Sequence, residues 1–246
     1  MKVAVFDIET GPRPESELAD VQPEFKAPAN YKDPEKIAAA IAEQKKEWLE
    51  RAALSAVTGR VLAVGWRQDG VTTLLCDETE GIMIALVWKL IEEAARAHYQ
   101  VVGFNSNRFD LPFLTRRSWA LGIPVPAGLY GARGYVNQNV FIDLMDEWAC
   151  GDRQSTISLD RLAKFLGCGE KNGDGKIFSH VLAEDRARAL AYLDNDIPMT
   201  ARVAERLLGV PQSASSTAPA ATAAKPKAPG QPAAPALVLQ NDDDDY

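Results

Sequence analysis

The sequence predicts an α/β fold, with a mixed central sheet flanked by helices, a Pro-rich and helical insertion after the first strand, and a C-terminal tail that does not fold. Three observations carry this. Lys2 to Ile8 is apolar at nearly every position, as a central strand covered on both faces is. Strand-like and helix-like segments then alternate to about residue 208. Beyond residue 210 the chain is mostly Ala, Pro, Ser and Thr, too poor in large apolar side chains to build a core. With 246 residues, 46% of them hydrophobic, the chain suits one substantial core, so residues 1–209 are expected to form one domain and 210–246 a disordered linker with an acidic tip.

Each element follows from local chemistry. The first strand stops at Thr10-Gly11-Pro12, and an insertion over residues 11–60 follows. It is Pro-rich up to Pro34 and then helical, with Asp33 as N-cap, Pro34 at the first helical position and Ile37, Ile41, Trp48 and Ala52 along one face. The runs Val61 to Arg67 and Val71 to Cys76 are joined by Gln68-Asp69-Gly70, a hairpin signal. A helix from about Glu80 to Ala97, a strand at Val101, a helix after Asp110, a strand at Val140 and helices at Ser158 and Ala183 complete the order. Pro198, inside the last helix, is expected to bend or break it.

The chemistry lies in three stretches. Strand side chains alternate faces, so Asp7 and Glu9 point the same way and Phe6 and Ile8 the other. Paired carboxylates beside a buried strand are costly to desolvate unless a cation keeps them ionised, although a strand running out into a solvated loop would also account for them. Asp110 opens a helix just beyond the strand Val101-Val102-Gly103-Phe104 and the polar loop Asn105 to Phe109, at the sheet edge where ligands sit in α/β folds. An N-cap role alone would also place an Asp there. Tyr192 and Asp196 are four apart in a helix and share a face, while Asp194 points elsewhere. Asp143 also ends an apolar strand and Asp160 lies in the first turn of a helix, both positions that a structural role explains. Lys171-Asn172-Gly173-Asp174-Gly175 reads as a turn and lacks the Glu of a calcium loop.

Taken together, Phe6-Asp7-Ile8-Glu9-Thr10, Gly103-Phe104-Asn105 with Phe109-Asp110-Leu111-Pro112-Phe113-Leu114, and Tyr192-Leu193-Asp194-Asn195-Asp196 resemble the DEDD superfamily of 3′–5′ exonucleases, in its tyrosine subgroup. Within it the chain is similar to the proofreading domain of family B DNA polymerases and its free-standing relatives, over roughly residues 1–208. The histidine subgroup is excluded, because the positions four and five before Asp196 are Tyr192 and Ala191, and His98 and His180 lie elsewhere.

The resemblance implies a ribonuclease H-like fold and two bound divalent ions, Mg²⁺ or Mn²⁺. Asp7, Glu9 and Asp196 would hold one ion, and Asp7 the second with Asp110 nearby. Tyr192 would orient the attacking water; with an ordinary pKa near 10 a phenol is a poor base at neutral pH. Thr10, Asn105 and Phe109 match the positions that clamp the end of a single strand. The implied activity is release of nucleoside 5′-monophosphates from single-stranded DNA in replication or repair. A ribonuclease of the same superfamily and an inactive nucleic-acid-binding accessory protein are the alternatives.

The net charge is −7, from 27 basic and 34 acidic residues; the tail past residue 210 contributes −2, leaving −5 for the body. That balance does not favour a polyanion, but two divalent ions would offset four carboxylates, and Arg108, Arg116, Arg117 and Arg133 are candidate phosphate contacts. Cys76, Cys150 and Cys168 are odd in number and form no Cys-x-x-Cys, which fits a reducing cytoplasm. No secretory signal and no apolar run long enough to cross a bilayer is evident. The tip, Ala236 to Tyr246 with four consecutive aspartates, is either a solubilising tail or a tethered motif that docks on a replication protein.

Overall fold

The computed structural model describes residues 1–76, 79–128, 137–152, 154–171 and 178–210. In chain order the elements are β1 (Lys2–Pro12), α1 (Glu15–Leu18), α2 (Pro34–Ala52), β2 (Gly59–Gln68), β3 (Val71–Leu75), α3 (Glu80–Arg96) and β4 (Tyr99–Gly103). There follow α4 (Asp110–Leu121), β5 (Phe141–Asp143), α5 (Leu144–Ala149), α6 (Leu159–Leu166), α7 (Phe178–Glu184) and α8 (Arg186–Leu208). The strands form one sheet in the order β3-β2-β1-β4-β5. β1 is antiparallel to β2 and parallel to β4, and β5 is parallel to β4, so the mixed α/β architecture expected from the sequence is the one found.

β1 is central, and its alternation sorts the helices. Ala4, Phe6 and Ile8 join one apolar cluster with Met83, Ile84, Val87, Trp88 and Ile91 of α3 and Leu111, Phe113 and Leu114 of α4. Val5, on the opposite face, packs with Leu144, Leu162, Met199 and Val203 of α5, α6 and α8. Asp7 and Glu9 share the Val5 face, so the fold directs them towards the α8 side of the sheet.

Some elements depart from expectation. β1 does not stop at Thr10 but continues to Pro12, with an irregularity between Glu9 and Thr10, because its pairing with β2 persists to Pro12 opposite Gly59. The insertion is correspondingly shorter than residues 11–60. Its helix α2 is capped as read, with the Asp33 carboxylate accepting from Glu35 N at 3.0 Å, but it lies on the surface and fully buries only Ala52. α8 runs unbroken through Pro198. A proline in a helix interior forfeits one backbone bond, a cost of about 3 kcal/mol. Packing of Leu193, Ile197, Met199 and Val203, all buried, holds the helix together around it. The β2–β3 hairpin turns at Asp69 and Gly70, both at positive φ, as the Asp-Gly pair predicts.

Candidate active site

Three elements bring the carboxylates together. Asp7 and Glu9 project from β1 towards α8, which presents Tyr192 and Asp196 one turn apart. Asp110 opens α4 at the end of the β4–α4 loop. It does not cap its own helix; its Oδ1 accepts from Ile8 N at 3.1 Å, which ties the start of α4 to the backbone between Asp7 and Glu9. Glu9, Asp110 and Asp196 are buried, at 8%, 3% and 1% exposure, so these acids are removed from water rather than left in a solvated loop.

Gly65 makes this convergence possible. It lies directly opposite Asp7 in the β1–β2 pair, and a Cβ there would fall 2.4 Å from Ile197 Cγ1 and 3.2 Å from Leu193 Cδ1. Because that Cβ is missing, α8 lies close against the sheet beside Asp7, and Asp196 adjoins Ile197.

The electrostatics report how crowded the charges are. The Asp7 carboxyl is raised from 3.8 to about 6, chiefly by burial and also by the Asp196 charge, against the opposing pull of Lys171 and a hydrogen bond with Asp110. Burial and the Asp7 charge push Glu9 well above the ordinary range, and the same two causes raise Asp110. Burial raises the Tyr192 phenol above its ordinary value of 10, so it is protonated at neutral pH and acts as a hydrogen-bonding group, not a base.

Lys171 is the residue missed in the sequence, where it reads as the opening of a turn. Its Nζ lies 2.6 Å from Asp196 Oδ2 and donates to the Tyr192 hydroxyl at 2.9 Å. Burial works against the ammonium, but Asp196 and Tyr192 raise its pKa above the ordinary value. Asp7 and Glu9 also lie within reach of its charge.

Among the described residues no group of three or more His, Cys, Asp or Glu side chains is gathered closely enough to hold a metal ion as it stands. The chemistry of the donor set nevertheless fits one. Asp7, Glu9, Asp110 and Asp196 are hard oxygen donors within electrostatic reach of one another, and no zinc-type thiolate or imidazole is among them. Asp196 Oδ1 is buried without a hydrogen bond, and Oδ2 is met by the Lys171 ammonium.

The candidate strand contacts fare unevenly. Thr10 is half-buried in β1, opposite Val61. Asn105, at φ 60°, turns the chain out of β4, and its N–H donates to Asp143 at 2.8 Å. Asp143 also accepts from Asn107 N and Met145 N, so this buried carboxylate shapes the loop that leads to Asp110, the structural role its position suggests. Phe109 is half-buried with its ring 5.6 Å from Phe113, anchored in the core on one side. Arg116 is exposed, and Arg108 pairs with Asp146 at 2.7 Å. Arg117 is not a phosphate contact: it is buried and paired with Glu80 at 2.6 Å, and it donates to Ala56 O at 3.2 Å. Arg133, Asn172 to Gly175 and the tail from residue 211 lie outside the described residues.

Residues 52–203 match a family described as a predicted 3′–5′ exonuclease related to the exonuclease domain of PolB. The chain belongs to this family. It is therefore an exonuclease of the tyrosine-type DEDD superfamily; the matched span contains Asp110, Tyr192 and Asp196 but begins after β1. The fold is similar to that of the family B DNA polymerase from the hyperthermophilic archaeon Pyrobaculum calidifontis, with a TM-score of 0.57 and 20% sequence identity. That likeness covers 85% of this chain but 24% of the polymerase. No curated protein matches the chain.

Proposed function

We propose that this exonuclease removes nucleotides from the 3′ ends of single-stranded DNA in a divalent-metal-dependent reaction that releases nucleoside 5′-monophosphates. The observation that carries the reading is the convergence of Asp7 and Glu9, Asp110, and Tyr192 with Asp196 from three separate elements, with a buried Asp196 Oδ1 that no hydrogen bond satisfies. Asp7, Glu9 and Asp196 would hold one Mg²⁺ or Mn²⁺ ion, and Asp7 with Asp110 a second. When bound, such ions supply acidity to water and charge stabilisation to the departing 3′ oxygen. Tyr192, protonated and fixed on α8, positions the attacking water by hydrogen bonding. The Asn105 to Phe109 loop, pinned by Asp143, lines the approach to Asp110 and offers polar and aromatic contacts to the last nucleotides. Arg116 is the exposed cation of α4 available for a phosphate.

No helix among the described residues is long and apolar enough to cross a membrane. Within the same proposal the enzyme works in the cytoplasm, in replication or repair, with the tail tip as a docking motif for a replication protein. The test is a time course on matched 5′-labelled single-stranded DNA and RNA oligomers with Mg²⁺, beside Asp196→Asn. A ladder that shortens from the 3′ end faster on DNA, and vanishes in the variant, is the expected result. Faster RNA cleavage would reassign the substrate, and cleavage undiminished in the variant would refute the site.

A further inference from the structure

We infer that Lys171 is a built-in counter-ion of the active site, holding the place of a divalent cation beside Asp196, and that metal binding must displace its ammonium. The inference rests on the reading of Asp7, Glu9, Asp110 and Asp196 as metal ligands.

Two independent sets of contacts support it. The first is the position of the ammonium, 2.6 Å from Asp196 Oδ2 and 2.9 Å from the Tyr192 hydroxyl, on a carboxylate whose other oxygen, Oδ1, is buried with no hydrogen bond. A Mg²⁺ ion approaches a carboxylate oxygen to about 2.0–2.1 Å, so an ion and an ammonium on the same Asp196 would crowd two positive charges into one buried site. The second is the way the backbone is held. Lys171 N donates to Asp160 Oδ1 at 2.9 Å, and Asn195 Nδ2 donates to Glu170 O at 3.2 Å. Asp160 is itself braced by Lys164 Nζ at 2.9 Å. α6 and α8 thus fix the main chain at residues 170 and 171 beside the site, and the four-carbon stem alone has to swing for the charge to leave.

The cluster also needs such a cation. Four acids drawn into one place repel one another. An ammonium offsets that repulsion and holds the site assembled before metal arrives, at the expense of metal affinity. Lys171 therefore opposes the first ion, in a coupling of the size usual between two ligands that compete for one set of charges.

Calorimetric titration of the full-length protein with Mn²⁺, together with thermal unfolding in EDTA and in saturating Mn²⁺, tests this. Lys171→Met keeps the length of the side chain and removes its charge. It is expected to bind Mn²⁺ roughly ten- to a hundredfold more tightly than the wild type. It should also unfold at a lower temperature than the wild type in EDTA, and no lower in Mn²⁺. Asp160→Ala, which loosens the backbone anchor and leaves every proposed ligand in place, gives a smaller shift in the same direction and serves if the first variant fails to fold. Asp196→Asn controls for ions held elsewhere on the chain. Unchanged or weaker Mn²⁺ binding in Lys171→Met, with the wild type binding the ion through Asp196, overturns the counter-ion role and leaves the metal site standing. Absence of Asp196-dependent binding in the wild type and in Lys171→Met removes the metal site and this inference together.

Discussion

Asp7→Asn should stabilise the metal-free protein, by an amount that depends on pH. The native state keeps the Asp7 proton up to about pH 6, whereas the unfolded chain loses it near 3.8. Between those values the native state binds more protons than the unfolded one, so this residue's contribution to stability falls as pH rises through the window. A rise from 3.8 to about 6 is worth about 3 kcal/mol at neutral pH and above. Asn has nearly the shape of protonated Asp and cannot ionise, so it escapes that loss. Urea unfolding in EDTA should show the variant more stable than the wild type by about 3 kcal/mol near pH 7.5, shrinking to about 1 kcal/mol near pH 4.5. Saturating Mg²⁺ should reverse the order, because only the wild type gains the free energy of binding an ion through Asp7. An advantage independent of pH, or a variant less stable than the wild type at neutral pH in EDTA, would refute the argument that burial and crowding of charge hold Asp7 up.

Arg117→Met leaves the largely buried Glu80 carboxylate without its cation, and should lower stability by about 3 kcal/mol in urea unfolding, whereas Arg117→Met with Glu80→Gln should recover most of it, since Gln still accepts from Val61 N. A single variant within about 1 kcal/mol of the wild type would show the pair to be dispensable. Gly65→Ala forces Ile197 and Leu193 away from the sheet, and overpacking of this kind costs about 1–3 kcal/mol, a fall in Tm of about 2–10 °C. It should weaken Mn²⁺ binding as well, because Ile197 adjoins Asp196; an unchanged Tm and affinity would mean that α8 does not need this close approach.

What could be read in the sequence was what depends on neighbours along the chain. The shared face of Asp7 and Glu9 follows from the two-residue period of a strand, and that of Tyr192 and Asp196 from the four-residue spacing of a helix. The Asp69-Gly70 turn follows from the positive φ that those residues tolerate. What escaped depends on partners distant in sequence. Nothing near Gly65 shows that α8 will lie on it, and nothing in a turn-like run starting at Lys171 shows that Asp160 and Asn195 will aim it at Asp196. Arg117 looks the same in sequence whether it meets a phosphate or Glu80, which lies 37 residues away. Pro12 and Pro198 each lack a backbone donor, and that loss is outweighed by strand pairing in β1 and apolar packing along α8.

The division between fixed and movable parts bears on how such a site takes up its ions. Asp7 and Glu9 belong to a strand paired on both sides, Asp110 is bonded to that strand's backbone, and Asp196 is held by a helix packed on Gly65. Shifting any of these carboxylates requires disturbing a buried core, an event on the microsecond-to-second scale of local unfolding. The ammonium of Lys171 ends a flexible side chain whose backbone is already anchored, so it can leave by rotamer changes that take nanoseconds once the competing charge arrives. A preorganised set of oxygens with one mobile counter-charge therefore lets the site remain assembled without metal and still admit an ion without opening the fold.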